Sequence, residues 1–286
     1  MKILGLRCGH LIDPIGVDDA GPKFSWRLEA DESDGRGLCQ CAYRITAFQS
    51  WPPTMSDVNV LWDSGKVESD QSQFVKYDGP ALKSRQRVEW QVEVWDQKGR
   101  SSTSETASFE MGLLDASDWQ GCKWIASPLF GGKYTTVPVP FMRRAFLLGS
   151  KPKHARLYIT ALGIYEAQIN GERVSEDIFS PGWTDYAKRI QYQVYDVTSL
   201  LKQGDNAIGA ILGDGWYCGY NGWFGRQIHG DRPKLLARLE IVNKDGSETV
   251  ITTDETWKWS VGPILESDML MGESYDARRD LGDWSK

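Results

Sequence analysis

Positive charge is the scarcer sign in this chain of 286 residues, where 33 Lys and Arg stand against 39 Asp and Glu for a formal net charge of −6. Basic residues gather only into pairs such as Arg143-Arg144 and Arg278-Arg279. The electrostatic footprint that a phosphate backbone demands is missing, so nucleic acid is excluded as a partner. Long apolar runs are missing too. None approaches the ~20 residues that span a bilayer, and the opening Met1–His10 has no apolar core of a secretory leader. No membrane association is expected, and a cytoplasmic location is. Histidine is rare, with His10, His154 and His229 isolated from one another. The five cysteines (Cys8, Cys39, Cys41, Cys122, Cys218) are odd in number and contain no Cys-x-x-Cys pair. That spacing offers neither a zinc site nor a disulfide framework, so reduced thiols are expected. No dense Asp/Asn loop suggests calcium. A phosphate loop, a nucleophile elbow and a dinucleotide fingerprint are all absent. No metal and no cofactor are expected.

Tryptophan is abundant. Its 13 copies outnumber the 11 Tyr and 9 Phe, within an ordinary apolar content of 41%, and this balance favours an all-β fold with aromatic surfaces. Residues 88–95 state the pattern most clearly. Val88, Trp90, Val92 and Val94 share one face of a strand, while Glu89, Gln91 and Glu93 take the other. Shorter strands at 24–28, 42–48 and 106–110 give residues 1–113 the rhythm of an immunoglobulin or fibronectin type III sandwich. No Cys-Trp-Cys frame is present, so the fibronectin-like variant fits better. A polar linker at 113–118 follows. Residues 119–286 continue all-β, with strands expected near 141–148, 155–160, 164–169, 191–195, 206–212, 235–242, 248–253 and 257–260. Asp245-Gly246 marks a hairpin between two of these, and the whole suggests a jelly roll.

Phrases along both halves carry a resemblance. They include Pro22-Lys23-Phe24-Ser25-Trp26-Arg27-Leu28, Leu61-Trp62-Asp63-Ser64-Gly65 and Phe109-Glu110-Met111-Gly112-Leu113 in the first half. In the second they include Ile169-Asn170-Gly171-Glu172-Arg173-Val174, Pro181-Gly182-Trp183-Thr184-Asp185-Tyr186, Gly213-Asp214-Gly215-Trp216-Tyr217 and Gly272-Glu273-Ser274-Tyr275-Asp276-Ala277-Arg278. In this order they resemble the N-terminal region of bacterial α-L-rhamnosidases of glycoside hydrolase family 78. The resemblance implies a fibronectin-like domain and a rhamnose-binding jelly roll. It also implies that an (α/α)6 barrel elsewhere carries the catalytic carboxylates of an inverting hydrolase. The chain ends about where those later domains would begin, so an accessory, non-catalytic role is expected. The implied partners are L-rhamnose or a rhamnosyl glycan, and a catalytic domain or partner subunit.

Sugar recognition needs a flat aromatic face beside hydrogen-bonding groups. Trp183, Asp185 and Tyr186 on one loop, and Asp214, Trp216 and Tyr217 on another, are the candidate substrate-binding residues. Loops at strand ends are where a β scaffold presents such groups. A glycosidase working alone would need a carboxylate pair flanking the sugar, and Asp185, Asp214, Glu273 and Asp276 are the available acids. Strand parity turns Glu273 and Asp276 to opposite faces, so no catalytic residue is assigned. Two rival readings stand beside the accessory one: a docking module without sugar binding, and a self-sufficient hydrolase on the jelly roll.

Overall fold

The computed structural model describes residues 1–30, 37–51 and 60–286. Contacts divide the chain into two compact units, Met1–Asp118 and Trp119–Lys286. Both are built almost wholly from antiparallel sheet.

In the first unit, β1 (Lys2–Cys8), β3 (Lys23–Glu29) and β7 (Val75–Lys76) form one sheet in the order β1-β3-β7. The facing sheet runs β2-β10-β8-β4-β5, from β2 (Ile15–Val17), β10 (Ala107–Met111), β8 (Arg87–Asp96), β4 (Gln40–Trp51) and β5 (Val60–Asp63). Two short strands extend it, β6 (Val67–Glu68) beside β4 and β9 (Ser101–Thr103) beside β8. Strand β8 shows why this is a sandwich. Its alternation turns Val88, Trp90, Val92 and Val94 fully inward, where Trp90 meets Phe24 of the opposite sheet at 4.4 Å between ring centroids. Each large apolar side chain buried in this way contributes about 1.5–3 kcal/mol. Gln40 is one of the polar residues buried in this unit. It accepts from Trp26 Nε1 at 2.9 Å and donates to the carbonyls of Ser69 and Gln71, so its amide is satisfied where water cannot reach.

The second unit is two sheets face to face. One is β14-β13-β16-β11-β19, from β11 (Pro140–Leu148), β13 (Ile164–Ile169), β14 (Glu172–Arg173), β16 (Gly204–Gly213) and β19 (Lys258–Val261). The other is β15-β12-β17-β18, from β12 (Pro152–Leu162), β15 (Gln193–Asp196), β17 (Lys234–Asn243) and β18 (Glu248–Thr252). Between them lies one apolar core, with Leu157, Ile159, Leu235 and Leu239 from one sheet meeting Ile169, Ile208, Ala210 and Leu212 from the other. The turn from β17 to β18 works as the Asp-Gly signal requires. Gly246 takes φ +85°, and its amide donates to Asn243 O at 3.0 Å. The strand near 191–195 begins at Gln193, and the other strands of this unit fall within a few residues of the expected ranges.

One element was not expected from the sequence. Strands β20 (Ile264–Asp268) and β21 (Gly272–Tyr275) form a separate hairpin. Their side chains are partly or fully exposed apart from Asp268, so no apolar alternation announces them. Among the described residues, no helix is long and apolar enough to cross a membrane.

Candidate functional site

Strand β16 ends at Gly213, and the chain breaks at once into a one-turn helix, α1 (Gly215–Cys218). Glycine is required here. Gly215 has φ +54°, and a Cβ would stand 2.8 Å from Ile164 Cγ2 and 3.1 Å from the Gly163 backbone. The tight corner projects Trp216 outward while Tyr217 and Cys218 turn in. Trp216 meets Trp183 from the 181–186 loop in a parallel stack, with 6.1 Å between ring centroids and 7° between planes. Phe179 packs edge-on against the same indole at 6.3 Å.

These two indoles form one wall of a cleft of about 600 Å³. Tyr220, Asn221, Gly222, Phe224, Ile228 and His229 continue it, and Met269 and Leu270 at the tip of the β20–β21 hairpin close the far side. Most of the lining is apolar. Asn221 anchors its own loop by donating to Trp216 O at 2.7 Å. Asp268 holds both walls at once: its carboxylate accepts from the amides of Tyr220 at 2.7 Å, Leu270 at 2.9 Å and Met271 at 3.0 Å. Three backbone amides that end on one side chain fix the Tyr220 segment and the hairpin tip to each other.

The expected site residues fall into three settings. Trp183 and Trp216 line the cleft, with Trp183 63% exposed. Asp185 faces solvent, where it accepts from Ala187 N at 3.2 Å and pairs with Lys188 at 3.0 Å. Tyr186, Tyr217 and Asp214 stand behind the wall. Tyr186 packs on Tyr217 and on His229, each at 5.2 Å. Its hydroxyl is buried without a hydrogen-bond partner, and burial pushes the phenol up to about 12. Asp214 is ion-paired with Arg226, which also donates to the carbonyls of Thr135 and Gly132. Burial lifts the Asp214 carboxyl above its ordinary range, against the opposing pull of Arg226 and a hydrogen bond from the Cys218 thiol at 3.3 Å. This carboxylate therefore braces the loop that carries the cleft.

The remaining acids do not gather around a common point. Asp276 binds the Arg278 guanidinium at 2.8 and 2.9 Å and caps the short helix beginning at Ala277, while Glu273 stands exposed on β21. Among the described residues, no group of three or more His, Cys, Asp or Glu side chains could hold a metal ion. Sequence reasoning missed Asp268, Met269 and Leu270. The hairpin's Gly272, at φ +86°, was the available signal for a turn there.

The architecture defines a class, an all-β tandem of an immunoglobulin-like sandwich and a jelly roll. Comparison with known proteins narrows it. Residues 3–115 match the Rha78A-like, N-terminal immunoglobulin domain, and residues 150–286 match the alpha-L-rhamnosidase N-terminal domain. The chain belongs to the α-L-rhamnosidase family as its two-domain N-terminal region. It is 41% identical, over 96% of its length, to an alpha-L-rhamnosidase of Formosa agariphila, of which it covers 30%. The native α-L-rhamnosidase structure from Aspergillus terreus superposes with a TM-score of 0.88 at 36% identity, covering all of this chain and 32% of that one. The Streptomyces avermitilis enzyme, solved in complex with L-rhamnose, gives 0.88 at 26% identity over 99% of this chain and 43% of that one. The chain thus spans about a third of the curated relatives it matches.

Proposed function

We propose that this chain is the accessory, non-catalytic β-domain region of an inverting α-L-rhamnosidase that removes terminal α-L-rhamnosyl residues. Its own contribution is a weak hold on a rhamnosyl group at the Trp183–Trp216 cleft. The observation that carries the reading is the stacked indole pair lining that cleft, Trp183 exposed and Trp216 half-buried, in a chain that is 41% identical to an α-L-rhamnosidase. A 6-deoxyhexose differs from most sugars by a methyl group, which suits a cleft lined by Ile228, Met269 and Leu270. The polar groups beside it are few: Asn221, His229, Tyr220 and, behind His229, the unpartnered hydroxyl of Tyr186. A monosaccharide held by one stacking face and few hydrogen bonds binds at about 0.1–1 mM, or roughly −4 to −5.5 kcal/mol. Hydrolysis itself is assigned to residues outside this chain, because Asp214 is bound to Arg226 and Asp276 to Arg278.

A second reading is favoured by one feature. Trp223 is 102% exposed, and Phe224 and Met271 beside the cleft are also largely exposed, an apolar rim wider than one sugar covers. On that reading the cleft docks another domain or subunit. Titration with L-rhamnose, followed by tryptophan fluorescence, separates the two. Saturable quenching that is lost in Trp216→Ala supports sugar binding, whereas no saturation at tens of millimolar hands the cleft to docking. Turnover of an aryl α-L-rhamnoside by residues 1–286, tracking the protein through purification, would overturn the non-catalytic assignment.

A further inference from the structure

Cys39 and Cys41 flank Gln40 at the start of β4. The buried Gln40 side chain, tied to Trp26, Ser69 and Gln71, points into the sandwich core. Its two neighbours consequently point outward, and both are exposed. The strand register slips at this place: Gln40 pairs with Asp96 and Ala42 with Trp95, which leaves Cys41 as the extra residue of a β-bulge. In a straight strand, residues two apart have Cα atoms about 6.7 Å from each other. That lies at the outer limit of the roughly 4.4–6.8 Å a disulfide tolerates. A bulge bends the strand at this point, and the Cys39 and Cys41 side chains stand exposed on the same side of it. Gln97 steadies Cys39. Its side-chain oxygen accepts from the Cys39 amide at 3.1 Å and from the Cys39 thiol at 3.7 Å, while its amide nitrogen donates to Gly37 O at 2.9 Å.

We infer that Cys39 and Cys41 are a redox-active dithiol that closes to an intramolecular disulfide by exchange with a small-molecule disulfide of the glutathione type. In the first step the Cys39 thiolate attacks one sulfur of the reagent. A mixed disulfide forms, and one reagent thiolate leaves. In the second, the Cys41 thiolate attacks the Cys39 sulfur and expels the other half of the reagent. The two protons lost by Cys39 and Cys41 are taken up, through solvent, by the two departing thiolates; the protein dithiol is oxidised by two electrons and the reagent is reduced to two thiols. The order follows from the surroundings of Cys41, whose thiol is pushed up by partial desolvation and by the negative charges of Cys39, Asp96 and Glu68. Capping Cys39 removes one of those charges, which frees Cys41 to act second. The other thiols do not compete. Cys8 and Cys218 are buried, and Cys122 is half-buried; desolvation pushes Cys8 up to about 12 and raises Cys122 and Cys218 as well, which lowers the reactivity of each.

The test incubates the chain with reduced and then oxidised glutathione, quenches with an alkylating agent, and reads intact mass and peptide maps. The parent is expected to lose two hydrogen masses, with Cys39 and Cys41 joined in one peptide, and to recover them on reduction. Cys41→Ser should accumulate one glutathionyl adduct at Cys39, because the resolving thiol is gone. Cys39→Ser should take up the adduct at least tenfold more slowly. The inference is overturned if the parent forms no Cys39–Cys41 link. It is equally overturned if the parent keeps a stable adduct, or if the two serine variants react alike.

Discussion

Arg226→Met tests how the cleft is braced. The Arg226 side chain is 2% exposed and that of Asp214 is 14%, so the pair sits in the regime where removing one partner strands the other. Such a truncation costs about 3–5 kcal/mol, whereas replacing both partners together is close to neutral. Methionine keeps much of the side-chain bulk and removes the donors to Asp214, Gly132 and Thr135. For a unit of this size each kcal/mol moves the unfolding midpoint by about 2–4 °C, so the expected fall is roughly 6–20 °C. Calorimetry on the parent, Arg226→Met, Asp214→Asn and the double variant gives the coupling directly, and the double variant should recover more than half of the loss. The pH dependence has a fixed sign. Burial already raises the Asp214 carboxyl, and without Arg226 its folded value climbs further above the unfolded value of about 3.9. The penalty is therefore smallest below about pH 4 and grows as pH rises through the folded value, since only the ionised carboxylate is stranded. A loss below about 1 kcal/mol at neutral pH refutes the brace, as does a penalty that deepens on acidification.

Three further outcomes follow from other parts of the structure. Trp216→Ala and Trp183→Ala should each weaken L-rhamnose binding at least tenfold, about 1.4 kcal/mol, with an unchanged circular dichroism spectrum; parental affinity in both would remove the cleft from sugar recognition. Asp268→Ala releases the amides of Tyr220, Leu270 and Met271 and should speed their hydrogen exchange while costing about 1–3 kcal/mol; unchanged protection would refute its role as the tie between the walls. Gly209→Ala places a Cβ 2.4 Å from Trp284 Cζ3, so Trp284 should leave its edge-on contact with Phe141 at 5.1 Å, seen as a red-shifted fluorescence component that Trp284→Phe abolishes.

Much of the fold was legible in the sequence, and the reason is local. The inward set Val88, Trp90, Val92 and Val94 follows from period-two alternation, which depends only on neighbours along the chain. Asp245-Gly246 specified its hairpin because the last residue of the three-residue turn between Asn243 and Ser247 needs the positive φ that Gly246 takes. The aromatic loops carrying Trp183 and Trp216 were legible for the same reason: each lies beside its own turn. The β20–β21 hairpin was not, because Ile264–Asp268 and Gly272–Tyr275 are partly exposed and carry no alternating apolar face.

Composition, periodicity and turn chemistry by themselves determined an all-β chain of two sandwiches with aromatic loops at strand ends. Tertiary structure alone decided what those loops do. Asp214 is an acid on a glycine-rich corner in the sequence; only the return of the chain at Arg226 makes it a buried brace. Asp268 has no meaning until Tyr220 and Leu270 meet it from two sides. The cleft joins Trp183, Trp216 and Leu270, which are far apart along the chain. No local pattern encodes that meeting, because contacts of such separation form only when the two sheets close on their shared core.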